Sequence, residues 1–397
     1  MNTKTEIDTM LQTIFPDMVQ WRRYMHMHPE VSFQEKETSN WITQRLQEMG
    51  CKVETDDSGY GLIVRIQGEK PGPTIALRAD FDALPIQDEK ECEYASTVTG
   101  AMHACGHDAH TATMLGIASY YSSIKEELHG ERRLIFQPAE EITPGGAVGM
   151  IANGVLNDVD AIYGVHLWTP LPYGMVASKG GPFMAAPDEI YIDIKGKGGH
   201  GGLPHETVDS IIVGSAMVQA LQTIISRNLN PLEPAVISIG SFHAGSTANV
   251  IAERCKLVGT VRTFSEEARI RIKERLHAIV KQTAELYGAV AALDYRYGYP
   301  TVVNDPIEAE RFFKVAPDQF GHAAVQQSPL IMAGEDFSYY LQKVPGCFMF
   351  VGAGNEACHA VYPHHHPKFD LDERSMLISA KLMITMAEDF ASENKRS

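Results

Sequence analysis

The sequence predicts an α/β domain interrupted by a smaller, inserted α+β domain. Two patterns predict it. Through the first 183 residues and again after residue 296, apolar β-type runs alternate with helical stretches, and the runs end in polar side chains, as strands do when their carboxyl ends open onto a site. Between them the order becomes β-α-β-β-α-β, the split arrangement of a ferredoxin-like unit in roughly 110 residues. The expected domains are 1–183 and 297–397, together one discontinuous domain, and 184–296, the insertion. A length of 397 residues suits about two domains at roughly 150 residues each.

Along the chain, 4–50 carries apolar residues at helical spacing, with Pro29 separating two helices. GLIVRIQG and PTIALRADFDALP read as strands. Residues 106–127 read as a helix behind a glycine-rich entrance, RLIFQPAEE (133–141) as a buried strand ending in carboxylates, and DAIYGVHLW (160–168) as a third strand of that kind. The insertion supplies EIYIDIKGKGG, a helix at 206–227, AVISIGSFHAG, KLVGTVRTF, a charged helix at 265–287 and AVAALDYRYGYP. MAGEDFSYYL, CFMFVGAG and a histidine triplet return to the first style before a last helix at 372–393.

Composition narrows the function classes. An apolar fraction of 44% and a charged fraction of 21% are those of a folded globular chain. Lysine and arginine total 34 against 50 acidic residues, a net charge of −16 that disfavours nucleic acid and anionic lipid as partners. No apolar run reaches the roughly 18–20 residues that span a bilayer, and MNTKTEIDTM lacks the basic-then-apolar layout of a secretory signal, so a cytoplasmic, unprocessed protein without a membrane partner is expected. Six cysteines without a CxxC pair are expected to be reduced thiols. The 16 histidines cluster: His103, His107 and His110 lie close together, and His364, His365 and His366 are consecutive.

Four elements carry chemistry. In GAMHACGHDAHTATMLG, Cys105 and His107 stand two apart in a glycine-punctuated turn, a thiolate and an imidazole that can face one ion. His103 and His110 are open as ligands, caps or surface residues. Glu140 and Glu141, at a strand tip, repel one another unless a cation sits beside them; one can ligate while the other moves a proton. Asp80 and Asp82 follow another strand and are placed to orient a ligating imidazole through its second nitrogen, or to cap the next turn. His166 ends the next comparable strand, and PHHHPKFD offers three imidazoles in a proline-stiffened loop.

The ordered set LRADFDALP, MHACGHDAHTA, FQPAEE, GVHLW, GKGGHGGLPH, GTVRTF, AGEDFS and HHHPKF resembles the bacterial aminoacylase and hippurate hydrolase group, with plant auxin-conjugate hydrolases, inside the larger di-metal aminoacylase and carboxypeptidase family. The likeness runs from HMHPE (26–30) to the last helix. It implies a di-metal exopeptidase-like catalytic domain with an inserted lid that dimerises, hence a homodimer or higher homo-oligomer. It also implies metal ligands Cys105 (bridging), His107, Glu141, His166 and, through the family's H-x-P pattern, His365, with His364 and His366 left open. Glu140 becomes the general base, Asp82 a supporting catalytic residue and His200 of the lid an oxyanion donor.

The expected reaction is hydrolysis of the amide in an N-acyl amino acid, using two divalent ions. Zinc suits the donor set, and cobalt, manganese and nickel are chemically permitted. The substrate's free carboxylate needs a local cation: Arg262 in GTVRTF offers a bidentate fork and Asn249 amide donors, while His205 positions substrate or caps the following helix. Three alternatives are a dipeptidase or carboxypeptidase of the same larger family, a cysteine-nucleophile amidase built on Cys105, and a metal-buffering protein.

Overall fold

The structure is a computed structural model that describes residues 4–394. In chain order its main elements are α1 (Lys4–Met27), α2 (Lys36–Glu48), β1 (Val53–Thr55), β2 (Leu62–Gln67), β3 (Lys70–Asp80), α3 (His107–Ser123), β4 (His129–Gln137), β5 (Ala161–Pro172) and β6 (Val176–Ser178). Then come β7 (Ala186–Lys195), α4 (Ser210–Asn228), β8 (Ala235–Ala244), β9 (Arg254–Thr263), α5 (Glu266–Leu286) and β10 (Val290–Arg296). The chain finishes with α6 (Pro306–Phe320), β11 (Val325–Gln327), β12 (Gly346–Gly354) and α7 (Ser375–Glu393).

Two compact units result. Among the described residues, the first takes 4–181, Val303–Pro329 and 336–394; the second takes Pro182–Val302 and Leu330–Glu335. The six-residue segment differs from the expected division at 297. Ile331 forms a parallel bridge with Met184, and its carbonyl accepts the Ala185 N–H at 2.9 Å, a pairing across nearly the whole insertion that local pattern does not reveal.

The first unit is built on an eight-stranded sheet of order β1-β2-β4-β3-β5-β12-β6-β11. Its central strands β4, β3, β5 and β12 run parallel, with Asp80 opposite Gln137 and His166 opposite Phe350. Their carboxyl ends therefore open on one edge, the usual position of a site in an α/β sheet. Strand β3 shows how the sequence does this: it is exposed at Lys70 and buried continuously from Ile75 to Asp80, as a central strand covered on both faces must be. Helix α3 is buried on almost every side, which its small residues permit; a Cβ on Gly116 would come within 2.8 Å of Met18 Sδ on α1. Leu77, Leu134, Phe136, Tyr163 and Met349 fill the core between sheet and helices.

The second unit is a four-stranded antiparallel sheet of order β8-β9-β7-β10, its elements following the predicted β-α-β-β-α-β order. Ile190, Ile192 and Ile194 alternate inward on β7 and pack with Leu221 of α4 and Leu276 of α5. Asp209 caps α4 through the Ile211 N–H, and Ser265 caps α5 through the Ala268 N–H. Among the described residues no helix is long and apolar enough to cross a membrane.

Candidate metal centre

The strand tips of the first unit bring together the residues singled out from Cys105 to His365. Gly106, at φ +90°, gives the chain the left-handed turn that starts α3 and leaves Cys105 just before the helix and His107 at its first position. Cys105 Sγ lies 3.4 Å from His166 Nε2 and 3.8 Å from His364 Nδ1. Ligand atoms of Cys105, His107 and Glu141 all lie within 4.8 Å of one another. His365 Nε2 is 3.4 Å from Glu141 Oε2.

The hydrogen-bond partners of each imidazole assign its tautomer, because a backbone carbonyl can only accept and an N–H can only donate. His107 Nδ1 faces the Asp82 carbonyl at 3.0 Å and Asp82 Oδ1 at 3.2 Å, so it carries the proton and leaves a lone pair on Nε2. His166 Nδ1 donates to the Leu167 carbonyl at 2.9 Å, leaving its Nε2 lone pair toward Cys105. His110 is different: Nε2 accepts the Leu167 N–H at 2.9 Å and Nδ1 donates to Asp80 Oδ1 at 2.6 Å, so both nitrogens are committed to holding β3 and β5 together. His103 is buried with neither nitrogen partnered among the described residues.

What remains open fits a cation. His107 Nε2 and Glu141 Oε1 are both buried without a hydrogen-bond partner, and they face each other at 3.8 Å. A buried orphan acceptor costs about 1–3 kcal/mol, and a thiol, two imidazole lone pairs and a carboxylate converging on one place answer that cost with a divalent ion. The electrostatics agree. Burial opposes charge on His107, yet Asp80, Asp82 and Glu141 outweigh it and raise its pKa to about 10, so the metal-free ring also holds a proton on Nε2, and the same field favours a divalent ion that takes that proton's place and frees the lone pair. Burial, with His110 and His364 close by, keeps His166 well below the usual imidazole range and therefore neutral, as a ligand must be. Asp82 is held by Ser32 Oγ at 2.7 Å and the Glu141 N–H at 3.0 Å, so one carboxylate fixes both His107 and the Glu141 backbone. Glu140 is buried at 7% exposure and has a carboxylate oxygen within 4.8 Å of one of Asp336.

The other singled-out residues belong to the second unit. His200 is exposed on a short ribbon, Gly199–His200 paired with Val250–Ile251, where its Nδ1 accepts the Gly202 N–H at 3.0 Å. Asn249 is exposed beside it, its carbonyl accepting the Gly201 N–H at 2.9 Å. His205 is exposed in the turn Pro204–Glu206 and does not cap the next helix, a task performed by Asp209. Arg262, on β9, donates to the carbonyls of Met332 and Val261, both at 3.1 Å, and to the Thr260 hydroxyl, so its hydrogen bonds go to neutral groups rather than to a carboxylate.

Sequence reasoning missed two supports. Glu35 is fully buried; its Oε1 accepts the Ala139 N–H at 2.8 Å, its Oε2 has no partner among the described residues, and burial together with Asp82 pushes its pKa up to about 7. It pins Ala139, which holds the left-handed φ of +53° just before Glu140. Arg78, also buried, joins Asp80 Oδ2 at 2.6 Å, Asp336 Oδ1 at 2.7 Å and Gln137 Oε1 at 2.9 Å beneath the site. An apolar stretch interrupted by a single arginine was the available signal for Arg78; Glu35 sits in a polar run that gives none.

Fold and site together define a metal-dependent hydrolase with its ligand cluster at the strand tips of an α/β unit. The chain belongs to peptidase family M20/M25/M40, whose profile matches residues 76–389. It is 44% identical over 302 residues to an N-acyl-L-amino acid amidohydrolase of Geobacillus stearothermophilus, covering 76% of this chain and 82% of that one. It is 39% identical over 382 residues to thermostable carboxypeptidase 1 of Saccharolobus solfataricus, covering 95% and 96%. Among solved structures, a dinuclear metal-binding peptidase of the M20 family from Bacillus subtilis superposes with a TM-score of 0.83 at 35% identity, over 96% of this chain and 99% of that one.

Proposed function

We propose that this protein hydrolyses the amide bond of N-acyl amino acids with two divalent ions held by Cys105, His107, Glu141, His166 and His365. The observation that carries it is the pair of buried, unpartnered acceptors, His107 Nε2 and Glu141 Oε1, beside a thiol and next to a second buried carboxylate in Glu140. A metal-buffering protein has no use for that adjacent carboxylate. Bound ions of this kind lower the pKa of water and polarise a carbonyl. Zinc suits the mixed donor set, and cobalt, manganese and nickel are accommodated by it.

Glu140 takes the proton that the attacking water loses and returns it to the leaving nitrogen. Asp82 keeps the His107 imidazole in the tautomer that presents Nε2. His200 is assigned as a donor to the developing oxyanion. Arg262, whose hydrogen bonds among the described residues go to neutral groups, is assigned with Asn249 to the substrate carboxylate, and His205 to substrate positioning. Cys51, Cys92, Cys105, Cys255, Cys347 and Cys358 are all unpaired, which supports a reducing, cytoplasmic setting. Assembly as a homodimer through the second unit is part of the same proposal.

The likeness to a carboxypeptidase favours one second activity, release of the carboxy-terminal residue of a peptide, dipeptides included. A panel of N-acetyl, N-benzoyl and longer N-acyl amino acids run against dipeptides decides. Faster turnover of the dipeptides would replace the aminoacylase assignment with the peptidase one.

A further inference from the structure

The three consecutive histidines point three ways, and the environment of each assigns its work. His366 stacks on Tyr362 with ring centroids 4.5 Å apart, and its Nδ1 accepts the Lys368 N–H at 3.0 Å, so it braces the loop. His365 holds the left-handed φ of +65°, rare for a side-chain-bearing residue, and donates its own N–H to the Ala104 carbonyl at 2.8 Å. That twist sends its ring to Glu141 while the ring of His364 goes to the opposite side, toward Cys105 and His166.

His364 has ring nitrogens close enough to Cys105 and His166 to complete a metal-binding triad, but its tautomer argues against ligation. Its Nε2 accepts the Thr169 N–H at 3.3 Å, so the neutral ring carries its proton on Nδ1, the atom that faces Cys105 Sγ at 3.8 Å. The Cys105 backbone carbonyl also interacts favourably with the protonated ring. The ring is held in this pose by stacking: its centroid is 4.6 Å from that of Trp168 at an interplanar angle of 22°, and Trp168 stacks in turn on Phe350 at 4.7 Å and 13°. With Nε2 engaged and the ring clamped between Trp168 and Phe369, whose centroid is 4.9 Å away, presenting an Nδ1 lone pair would set a new Nε2–H against the Thr169 N–H.

We propose that His364 is not a metal ligand but a positioning residue that donates its Nδ1–H to the Cys105 thiolate, fixing the sulfur and tempering its electron donation. This rests on the di-metal assignment above. An N–H aimed at a thiolate is a charge-assisted bond, and partners that hydrogen-bond a ligating atom typically change metal affinity by roughly 10–100-fold when removed.

The test uses cobalt-loaded protein, in which thiolate ligation gives a sulfur-to-metal charge-transfer band. His364→Phe keeps an aromatic ring against Trp168 and has no N–H; it is expected to bind as many cobalt ions per chain as wild type, with affinity lower by about 10–100-fold and the band moved to longer wavelength. His364→Gln, which restores an N–H, should move the band back. Loss of one ion per chain in His364→Phe would make His364 a ligand and overturn the proposal. So would an unmoved band, the outcome expected if Nδ1–H serves only the Cys105 carbonyl. Wild-type protein needs no variant to fold: loaded with cadmium-113 and labelled with nitrogen-15 in histidine, it should show metal–nitrogen coupling for His107, His166 and His365, and coupling from His364 refutes the assignment. A wild-type protein without the thiolate band refutes the di-metal assignment itself, and the donor role falls with it.

Discussion

Replacing Arg78 with methionine tests whether the site rests on the buried charges beneath it. Methionine fills much of the volume and removes the cation that Asp80 meets at 2.6 Å and Asp336 at 2.7 Å, both carboxylates being at most 1% exposed. Breaking a buried pair on one side typically costs about 3–5 kcal/mol. Here the cost should depend on pH. Burial already pushes Asp336 up to about 6 against the pull of Arg78, whereas His107, Arg78 and His110 hold Asp80 well below the usual range despite burial. Without Arg78 the Asp336 value, already above the unfolded value of about 3.9, rises further, and Asp80 keeps only His107 and His110 to hold it down. A carboxylate with a raised folded pKa costs stability above its unfolded pKa, increasingly until the pH passes the folded value, at about 1.4 kcal/mol per unit. The gap between wild type and Arg78→Met should therefore be wider at pH 8 than at pH 5. Trp21, Trp41 and Trp168 all lie in the first unit, so tryptophan fluorescence during urea unfolding of metal-free protein reports that unit alone. A loss under about 1 kcal/mol at both pH values, below the usual range for a broken buried pair, would refute the reasoning.

Other expectations concern the chemistry and the acid limit. Glu140→Gln should keep its metal by elemental analysis and lose about 10²–10⁴-fold in kcat; wild-type turnover would remove Glu140 from the base role. Arg262→Ala should reduce kcat/KM about 10–100-fold for substrates with a free carboxylate, equivalent to a charged hydrogen bond of roughly 1.5–3 kcal/mol, and far less for their amides; equal losses would exclude the contact. Asp108 and Asp370 meet the buried Arg22 at 2.9 and 2.7 Å, and Arg22 holds both below the usual carboxylate range although burial pushes the other way. Depressed folded values mean stability that is present above about pH 4 and lost as pH falls through them, so acid titration by circular dichroism should show a steep loss there that Asp370→Asn makes shallower.

The strand-tip residues were legible because a strand buried on both faces reads as an unbroken apolar run, and the polar residues that end it stand out: Asp80 ends β3, and Glu140 and Glu141 follow the end of β4. His166, expected to end its strand, instead lies inside β5, which runs on to Pro172 beside β12. Cys105 and His107 were legible from their spacing around Gly106. The division of labour between His107 and His110 was not, because it depends on Asp80 and Leu167, residues brought to the helix only by the parallel sheet. Glu35 was hidden for the same reason: its partner Ala139 is 104 residues away. The histidine triplet could not be resolved by an H-x-P pattern alone, since what separates His364 from His365 is a left-handed backbone at His365 and a ring stack on Trp168. His205 was misjudged as a possible cap because Asp209, nearer the helix, competes better for the free N–H.

The most direct test of the central claim is elemental analysis of the purified chain coupled to hydrolysis of N-acyl amino acids before and after chelation. The expected result is about two divalent ions per chain, as dinuclear catalysis requires, with hydrolysis lost on chelation and regained when zinc, cobalt, manganese or nickel is returned. Full hydrolysis by metal-free protein would contradict it and point to Cys105 as a nucleophile instead.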